Sequence, residues 1–401
     1  MNIVYINTVK DSGSTGRITS ALSNIATEHG FTPYIAYGRG MCSTSPSAYR
    51  IGNKKDFFYH VYVNFTTGRN GFASRSVTKR FLQWLDNIHP DLIHLHNIHG
   101  FYIHVGMLFE YIKQHDIPVV WTLHDCWPFT GHCAHFDYIQ CNRWKTGCHN
   151  CKIYRSAYPY SIFKDNSLEN YALKKEAFTN VNKMTIVTPS YWLGDLVKSS
   201  FLNDYPITVI HNGINLEIFK PQSILPLSNR KKNILGVANV WSPRKGLDAF
   251  LQLATMLDDS YHITLVGLNR QQQKKIQKKY PHKITTLQRT ANLEELVMLY
   301  RNAYVFVNPT LEDNFPTTNL EALACGTPVI TYKTGGSPES LDETCGVVIE
   351  KNNIHALYNA ILSLEHNPLI TPFACRQHAL LYDQNTCFAN YMTLYKKILE
   401  I

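Results

Sequence analysis

The chain has 401 residues, of which 44% are hydrophobic and 17% charged, so it is long enough for two globular domains and too apolar for a disordered protein. Its 39 basic and 30 acidic side chains favour anionic partners without choosing among nucleic acid, a lipid surface and phosphorylated metabolites. No apolar run approaches the ~20 residues that span a bilayer, and the first residues lack the features of a secretory signal, which predicts a cytoplasmic protein.

The first half of the chain predicts alternating strands and helices. A strand pattern at residues 2–7 precedes a helical pattern at residues 16–28. Further buried-strand patterns lie at residues 33–37, 92–96, 119–123, 185–189 and 207–210. Apolar strands with room for helices between them are typical of a parallel sheet. We therefore predict an N-terminal Rossmann-like domain over residues 1–220, with a cysteine-rich insert at residues 126–151.

The second half repeats this organisation after a break. Residues 220–230 contain two prolines and no apolar period, which favours a linker. Strand patterns then recur at residues 233–238, 263–266, 284–287, 305–308 and 329–332, with helical patterns at 247–257 and 293–303. We predict a second Rossmann-like domain over residues 221–384. A helical pattern over residues 385–401 could pack on either domain, including by crossing back to the first. Two doubly wound domains would bring the carboxyl ends of both sheets around one central cleft.

One segment places two carboxylates, Asp313 and Glu321, eight residues apart with Pro316 between them. Because proline removes a backbone donor and favours extended geometry before it, we expect Asp313 in a loop and Glu321 in the helix that follows. The first turn of that helix, at Thr317 and Thr318, offers backbone N–H groups to a phosphate. The arrangement suits a diphosphate held between two hydroxylated rings, and plain strand, loop and helix architecture is the alternative.

A departing diphosphate needs a positive partner. No Asp-x-Asp pair, the usual divalent-metal handle for diphosphates, occurs in the chain. Arg244 and Lys245 follow a predicted strand and open a helix, so they are candidates to supply the charge without a metal. Solvated charges at a helix start are the alternative interpretation.

Five of the ten cysteines lie between Cys126 and Cys151, and the group ends in a Cys-x-x-Cys pair. In a chain of this size without an export signal, metal ligation or reduced thiols are favoured over disulfides. Four thiolates complete a tetrahedral zinc shell. We predict a structural zinc held by Cys133, Cys141, Cys148 and Cys151. Unligated thiols, a redox role and ligation by nearby histidines stay open.

Residues 50–80 combine seven Lys or Arg with one acid, Asp56. Aromatic residues lie among these charges: Phe57, Phe58, Tyr59, Tyr62, Phe65 and Phe72. Such a face suits contact with an anionic membrane. A solvated surface over a core helix is the alternative.

Residues 313–330 and 335–339 resemble the motif of the retaining GT-B glycosyltransferases of family 4. Segments at residues 90–96, 120–125, 187–190 and 209–221 are similar, in the same order, to the family's N-domain and linker motifs. The family usually has a glutamate where this chain has Asp313, and glycines where it has Asn314 and Pro316. The resemblance covers nearly the whole chain and implies the GT-B fold, α/β with two Rossmann-like domains facing a central cleft.

The resemblance also implies roles for individual residues. Glu321 would hold the ribose of a nucleotide sugar, and Asp313 the hydroxyls of the transferred sugar. Lys245 would stabilise the diphosphate, and His124 would contact the sugar from the opposite domain. Further substrate-binding residues implied by the resemblance, or placed beside these four, are Gly13, Gly16, Arg244, Asn314, Phe315, Thr317 and Thr318. For Gly13 and Gly16, a tight turn between strand and helix is the alternative.

Within the family, the resemblance is to enzymes of colanic acid, capsule and O-antigen biosynthesis. It implies retaining transfer of a hexose from a UDP- or GDP-sugar to a polyprenyl-diphosphate-linked oligosaccharide. It implies no cofactor for catalysis and no nucleic-acid partner, and it places the protein in the cytoplasm or at the inner face of the plasma membrane. A sugar-nucleotide epimerase of the same fold and a zinc-bearing nucleic-acid-binding protein are the alternatives.

Overall fold

The computed structural model describes residues 1–222 and 231–401, so residues 223–230 of the predicted linker lie outside the described residues. The chain divides into a first unit, Met1–His211 with Phe388–Ile401, and a second unit, Asn212–Cys387. In the described ranges, every helix is too short or too polar to cross a membrane.

The first unit is a parallel seven-stranded sheet with helices between its strands. Its strands are β1 (Asn2–Val9), β2 (Thr32–Arg39), β3 (Ala48–Arg50), β4 (Leu92–Leu95), β5 (Val119–Thr122), β6 (Met184–Thr188) and β7 (Ile207–Val209). Its helices are α1 (Gly13–Glu28), α2 (Lys54–Thr67), α3 (Arg75–Ile88), α4 (Val105–Gln114), α5 (Ser167–Phe178) and α6 (Tyr191–Lys198).

The strand order of this sheet is β3-β2-β1-β4-β5-β6-β7. Ile3 of β1 lies opposite Pro33 of β2 on one side and Leu92 of β4 on the other. The chain therefore runs outward from β1 to β3 and returns beside β1 with β4, which makes the β1–β4 boundary the switch point of the sheet. All strands predicted for this sheet form; β1, β4, β5 and β6 are mostly buried apolar runs, whereas β7 is apolar but partly exposed throughout. The three-residue β3, Ala48–Arg50, has no run of β-branched apolar residues and is not predicted.

The second unit is a parallel six-stranded sheet covered on both faces. Its strands are β8 (Lys232–Val237), β9 (Tyr261–Val266), β10 (Ile284–Leu287), β11 (Val305–Asn308), β12 (Val329–Tyr332) and β13 (Gly346–Ile349). The helices are α7 (Leu247–Met256), α8 (Arg270–Lys279), α9 (Leu293–Arg301), α10 (Thr317–Ala324), α11 (Ile354–Ser363), α12 (Pro372–Ala379) and α13 (Gln384–Leu399).

Alternating side chains explain how both faces of this sheet are buried. Val305 and Val307 of β11 belong to one hydrophobic cluster, and Phe306 between them belongs to another. Successive side chains of a strand point to opposite faces, so a continuous apolar strand supports helices on both sides. The strand order is β10-β9-β8-β11-β12-β13, which places the switch point between β8 and β11.

The division between the units lies ahead of the boundary predicted after residue 220. Leu216 and Phe219 belong to a core cluster of the second unit, and the Ile214 N–H donates to the Tyr382 carbonyl at 3.0 Å. Helix α13 begins in the second unit, and its residues from Phe388 onward belong to the first. Its Tyr395 hydroxyl lies 2.5 Å from His94 Nδ1 of β4, so the chain crosses back to the first unit.

Candidate active site

The switch point of the second unit brings Lys245 and Asp313 together. β8 and β11 are neighbours in the sheet, with Leu235 opposite Phe306. The loop after β8 leads to a single turn at Pro243–Lys245, and the loop after β11 carries Asp313. Lys245 Nζ lies 2.5 Å from Asp313 Oδ2, and both side chains are partly buried. Two candidate residues separated by 68 positions thus form one charged pair at the carboxyl edge of the sheet, where doubly wound folds in general bind their ligands.

Two glycines let the backbone close around this pair. Gly246 has a φ of 74°, and a Cβ there would lie 2.0 Å from the Pro309 carbonyl oxygen. Gly335 has a φ of 56°, and a Cβ there would lie 1.9 Å from the carbonyl oxygen of Asp313. Any side chain at either position would force the Asp313 loop to move, so both positions require glycine.

Arg244, proposed as a substitute for the family's arginine, contacts the protein backbone. Its guanidinium donates to the Glu312 carbonyl, and its own carbonyl accepts from the Leu311 N–H at 2.7 Å. Arg244 therefore fastens the β8 loop to the loop that carries Asp313. A direct contact between Arg244 and substrate stays a prediction.

Glu321 lies on α10, as predicted, and is oriented by a residue that sequence reasoning missed. The Tyr300 hydroxyl of α9 donates to Glu321 Oε2 at 2.9 Å. Burial and the neighbouring Glu321 carboxylate hold the pKa of Tyr300 well above its ordinary value, so its hydroxyl keeps its proton and donates. In the sequence, Tyr300 is one more apolar-face residue of a helix, and nothing there distinguishes it from a core residue.

The N-terminus of α10 rests on buried polar side chains. Asn308 Nδ2 donates to Asn319 Oδ1 at 2.8 Å, and Asn319 Nδ2 donates to the hydroxyls of Ser337 and Ser340 at 3.1 and 2.9 Å. Among the described residues, no side chain caps α10. An uncapped helix start offers its first N–H groups and the positive end of its dipole to an anion.

Thr317 and Thr318 occupy the first two positions of α10 and are partly buried. The preceding Asn314 and Phe315 are 4% and 3% exposed. The Phe315 ring packs on Tyr382 with centroids 5.6 Å apart, so it is a core residue of the second unit. A contact of Phe315 with substrate would have to come from its backbone.

In the first unit, His124 follows β5 and belongs to a row of histidines. His96 Nδ1 lies 3.0 Å from His124 Nε2, and His94 Nε2 lies 2.8 Å from the Thr122 hydroxyl. Burial lowers the pKa of His124 to about 4, with Asp125 opposing that shift. His124 is therefore neutral at neutral pH and can make hydrogen bonds without adding charge. His94 lies on β4 and His96 directly follows its end, so their spacing of two within the predicted strand at residues 92–96 was the available signal for the row.

Next to this row, His99 Nε2 lies 2.7 Å from Asp125 Oδ2. Burial raises the pKa of Asp125, but His99 and the Trp127 N–H outweigh it and lower that pKa to about 2. Asp125 therefore stays ionised and orients His99.

The two N-terminal glycines occupy different environments. Gly13 is exposed at the first residue of α1. Gly16 is buried, and a Cβ there would lie 3.2 Å from Val9 Cγ2 and 3.3 Å from the Asp11 nitrogen. Because α1 packs closely on β1, a side chain at residue 16 has little room, which explains the glycine there. Gly13 remains accessible to a ligand. Binding by either residue stays a prediction.

Cys133 and Cys148 are buried, and Cys141 and Cys151 are partly buried. Cys148 Sγ accepts from the Gly131 N–H at 3.1 Å, and burial raises the pKa of Cys148 to about 11. Within the described residues, the side chains whose metal-ligand atoms gather within 4.8 Å are Asp342, Cys345 and His378, and the four predicted cysteines do not form such a group. Their chemistry suits zinc and their present spacing does not form a closed shell. The zinc stays a prediction.

A buried lysine accompanies these cysteines. Lys174 Nζ donates to the carbonyls of Trp127 and Thr130, both at 2.9 Å, and lies 3.6 Å from the centroid of the Trp127 ring. Burial holds the pKa of Lys174 well below its ordinary value, and the thiols of Cys148 and Cys133 oppose that shift. Sequence reasoning missed Lys174, because it lies on α5, distant in the chain from the cysteines.

Relatives that resemble the chain include two bacterial proteins. A putative colanic acid biosynthesis glycosyl transferase of Escherichia coli, WcaC, is 22% identical over 88% of each chain. A Campylobacter jejuni enzyme, N,N'-diacetylbacillosaminyl-diphospho-undecaprenol alpha-1,3-N-acetylgalactosaminyltransferase, is 26% identical over 57% of this chain and 64% of its own.

Solved structures share the fold. Sucrose-phosphate synthase from Thermosynechococcus elongatus superimposes with a TM-score of 0.72 at 15% identity, covering 100% of this chain and 99% of its own. HepE of Anabaena in complex with UDP gives 0.65 at 14% identity, covering 99% and 100%. The family model for Glycosyltransferase Family 4 matches residues 19–218, and that for Glycosyl transferases group 1 matches residues 223–380. With both sheets formed as the fold requires, the chain belongs to the GT-B glycosyltransferases, with a family 4 domain followed by a group 1 domain.

Proposed function

We propose that this glycosyltransferase moves a hexose, with retention of configuration, from a nucleoside diphosphate sugar to a lipid-linked oligosaccharide. The reaction would serve bacterial surface polysaccharide biosynthesis at the inner face of the plasma membrane. The relative named for colanic acid biosynthesis and the one named for a diphospho-undecaprenol substrate support this choice of pathway and acceptor. A UDP complex of a protein with the same fold supports the choice of donor class.

The observation that carries the proposal is the pair of Lys245 and Asp313 beside the start of α10. Without ligand, the Lys245 ammonium is neutralised by the Asp313 carboxylate. A diphosphate placed next to Lys245 gives the ammonium a second anionic partner, so Asp313 can turn its oxygens to the hydroxyls of the transferred sugar. Breaking the sugar–phosphate bond increases the negative charge on the diphosphate, and a fixed ammonium stabilises that charge most strongly in the transition state.

The remaining groups position the donor. The first N–H groups of α10, at Thr317 and Thr318, would bind phosphate oxygens. Glu321, held by Tyr300, would accept hydrogen bonds from the ribose hydroxyls. The cation and the helix start supply the charge stabilisation that a divalent ion provides elsewhere, and the chain has no Asp-x-Asp pair to bind such an ion. We therefore include metal-independent transfer in the proposal. The predicted contact of His124 with the transferred sugar stays a prediction.

Thermal-shift measurements against a panel of UDP-, GDP- and ADP-sugars test donor binding, because a ligand that binds only the folded state raises its apparent stability. Transfer is then measured with a synthetic polyprenyl-diphosphate oligosaccharide, in the presence and absence of EDTA. NMR of the product reports the anomeric configuration. Conversion of the donor sugar without an acceptor would instead identify an epimerase.

Lys245→Ala should lower turnover at least about a hundredfold, because one well-placed transition-state donor contributes about that much. Lys274→Ala is the matched control, since Lys274 is an exposed lysine on α8 of the same unit. Near-normal turnover of Lys245→Ala would remove this residue from the mechanism. Absence of any stabilising nucleotide sugar would remove the proposed donor class.

A further inference from the structure

Three side chains of the second unit that can bind a metal converge at one point. Asp342 and Cys345 lie in the loop before β13, and His378 lies on α12. One ligand atom from each side chain lies within 4.8 Å of the other two. Cys345 is buried and His378 partly buried, whereas the Asp342 side chain is 48% exposed, so the cluster is open to solvent at its carboxylate.

The hydrogen bonds of His378 leave a ring nitrogen directed at a carboxylate. His378 Nε2 lies 3.1 Å from the Ser340 carbonyl oxygen. A carbonyl oxygen can only accept, so Nε2 carries the ring proton, and the neutral imidazole presents an unprotonated Nδ1. That Nδ1 lies 2.9 Å from Asp342 Oδ2, which is also an acceptor. Two acceptors this close need a positive partner between them, either a further proton or a metal ion.

The surroundings of the cluster match the outer shell of a metal site. A metal-binding histidine usually donates its second ring N–H to a carbonyl or carboxylate, as His378 does to Ser340. Asp342 Oδ1 accepts from the Thr344 N–H and hydroxyl at 2.9 and 2.6 Å, and Oδ2 is directed at His378. Cys345 Sγ accepts from the Asp342 N–H at 3.3 Å, a contact that favours a thiolate.

We propose that Asp342, Cys345 and His378 bind a zinc ion, with solvent water completing the tetrahedral shell. A proton needs only the imidazole and the carboxylate, whereas a metal ion also explains why a sulfur atom converges on them. A thiolate and an imidazole select zinc over magnesium and calcium, which prefer oxygen ligands.

The charges of the cluster suit a divalent ion. Burial raises the pKa of the Cys345 thiol, so zinc displaces the thiol proton when it binds. The carboxylate, the thiolate and the neutral imidazole then carry two negative charges together, which match the charge of the ion.

Zinc at this point would hold α12 to a turn that supports the candidate active site. Ser340 ends the single turn Pro338–Ser340, and its hydroxyl accepts from Asn319 of α10 at 2.9 Å. Its carbonyl is the partner of His378. The ion would therefore be structural. Its binding does not depend on the proposed transfer, and the two can be tested separately.

Cobalt titration of the full chain, after passage over a chelating resin, tests the proposal. Three protein ligands open to solvent hold a metal less tightly than a closed four-thiolate shell, so this site fills with added metal, separately from the zinc predicted in the first unit. We expect about one equivalent of Co²⁺ to bind here with a thiolate-to-cobalt charge-transfer band. Zinc should displace the cobalt, and magnesium should not.

Variants of the three ligands should lose this binding. Cys345→Ser should remove the charge-transfer band of this site. Asp342→Asn and His378→Asn should each weaken cobalt binding at least about a hundredfold, because loss of an outer-shell partner alone costs about 10- to 100-fold. Since the Asp342 side chain is half exposed, Asp342→Asn is the variant least able to disturb the fold. Added zinc should raise the unfolding temperature of the unaltered chain more than that of these variants.

Matched controls come from the same unit. Cys375→Ser removes a buried thiol of α12 whose Sγ donates to the Cys345 carbonyl at 3.6 Å, and His366→Asn removes an exposed histidine. Both controls should bind cobalt as the unaltered chain does. Thermal unfolding of every variant without added metal checks that the fold is intact.

Cobalt binding that is absent in the unaltered chain, or unchanged in the three ligand variants, would overturn the inference in favour of an ion pair between imidazolium and carboxylate. Displacement of the cobalt by magnesium would also overturn it, because it would indicate oxygen ligands only. Failure of nucleotide sugars to stabilise the chain, with cobalt binding intact, would contradict the proposed function and leave the metal site standing.

Discussion

Acidification should destabilise the first unit more than the second. Six histidines of the first unit have pKa values lowered by burial: His60, His94, His96, His104, His124 and His132. The pKa falls from 6.5 to about 3 for His60, to about 4 for His104, His124 and His132, and well below 6.5 for the other two. In the second unit, His262 has a lowered pKa within the described residues.

The sign follows from proton binding. The unfolded chain protonates these imidazoles below pH 6.5, whereas the folded chain keeps His60, His104, His124 and His132 neutral down to about pH 4, so stability falls as the pH is lowered through that window. At about pH 5.5, each group costs about 1.4 kcal/mol relative to high pH. The four histidines with pKa values of about 3 to 4 together cost about 6 kcal/mol, and His94 and His96 act in the same direction, so the total is comparable to the whole stability of a typical domain. The first unit should therefore unfold between about pH 6 and pH 5.

Urea unfolding at about pH 7.5, 6.5 and 5.5 measures this dependence. Tryptophan fluorescence reports mainly the first unit, which contains five of the six tryptophans (Trp84, Trp121, Trp127, Trp144 and Trp192). Near pH 5.5 the slope should correspond to uptake of about four protons or more on unfolding. His60→Asn should reduce that uptake by about one proton. The reasoning would be refuted if the unfolding free energy of the first unit changed over this pH range by less than the amount expected for one titrating histidine.

Further predictions concern the candidate site and the cysteines. Tyr300→Phe should weaken nucleotide-sugar binding about tenfold in calorimetry, because Glu321 loses its orienting donor; unchanged affinity with lowered stability would show a structural role only. Gly335→Ala should weaken donor binding at least about tenfold by displacing the carboxylate loop, whereas Gly30→Ala, also at a positive φ but with no atom near its Cβ, should not. Metal analysis in reducing buffer should find about one zinc per chain, lost in Cys148→Ser, and a metal-free protein would contradict the predicted zinc.

The sequence was sufficient to predict most of the fold, because buried parallel strands carry continuous apolar runs. The apolar run at residues 305–308 forms β11 with the predicted bounds, and α10 begins directly after Pro316, as expected. Prediction failed where pattern is weak. Both missed strands lie at the edges of their sheets: β3 has no apolar run, and β13 has a short one, Gly-Val-Val-Ile, in which Val348 is exposed.

The candidate site was predicted only in part. The sequence predicts Lys245 and Asp313 as separate candidates, and their contact follows from strand order, which sequence patterns do not encode. Tyr300 and Lys174 were missed because a helix-face tyrosine and a single lysine look ordinary until their buried environments are known.

By itself, the sequence determined the α/β class, the two series of strands and the residue types available for chemistry, because local periodicity and backbone restrictions act over a few neighbouring residues. The tertiary structure decided which of those residues meet. The crossover that returns β11 beside β8 placed the ammonium of Lys245 on the carboxylate of Asp313, and burial then set which histidines stay neutral. Contact and desolvation depend on distances in space between residues far apart in the chain, and no local pattern contains those distances.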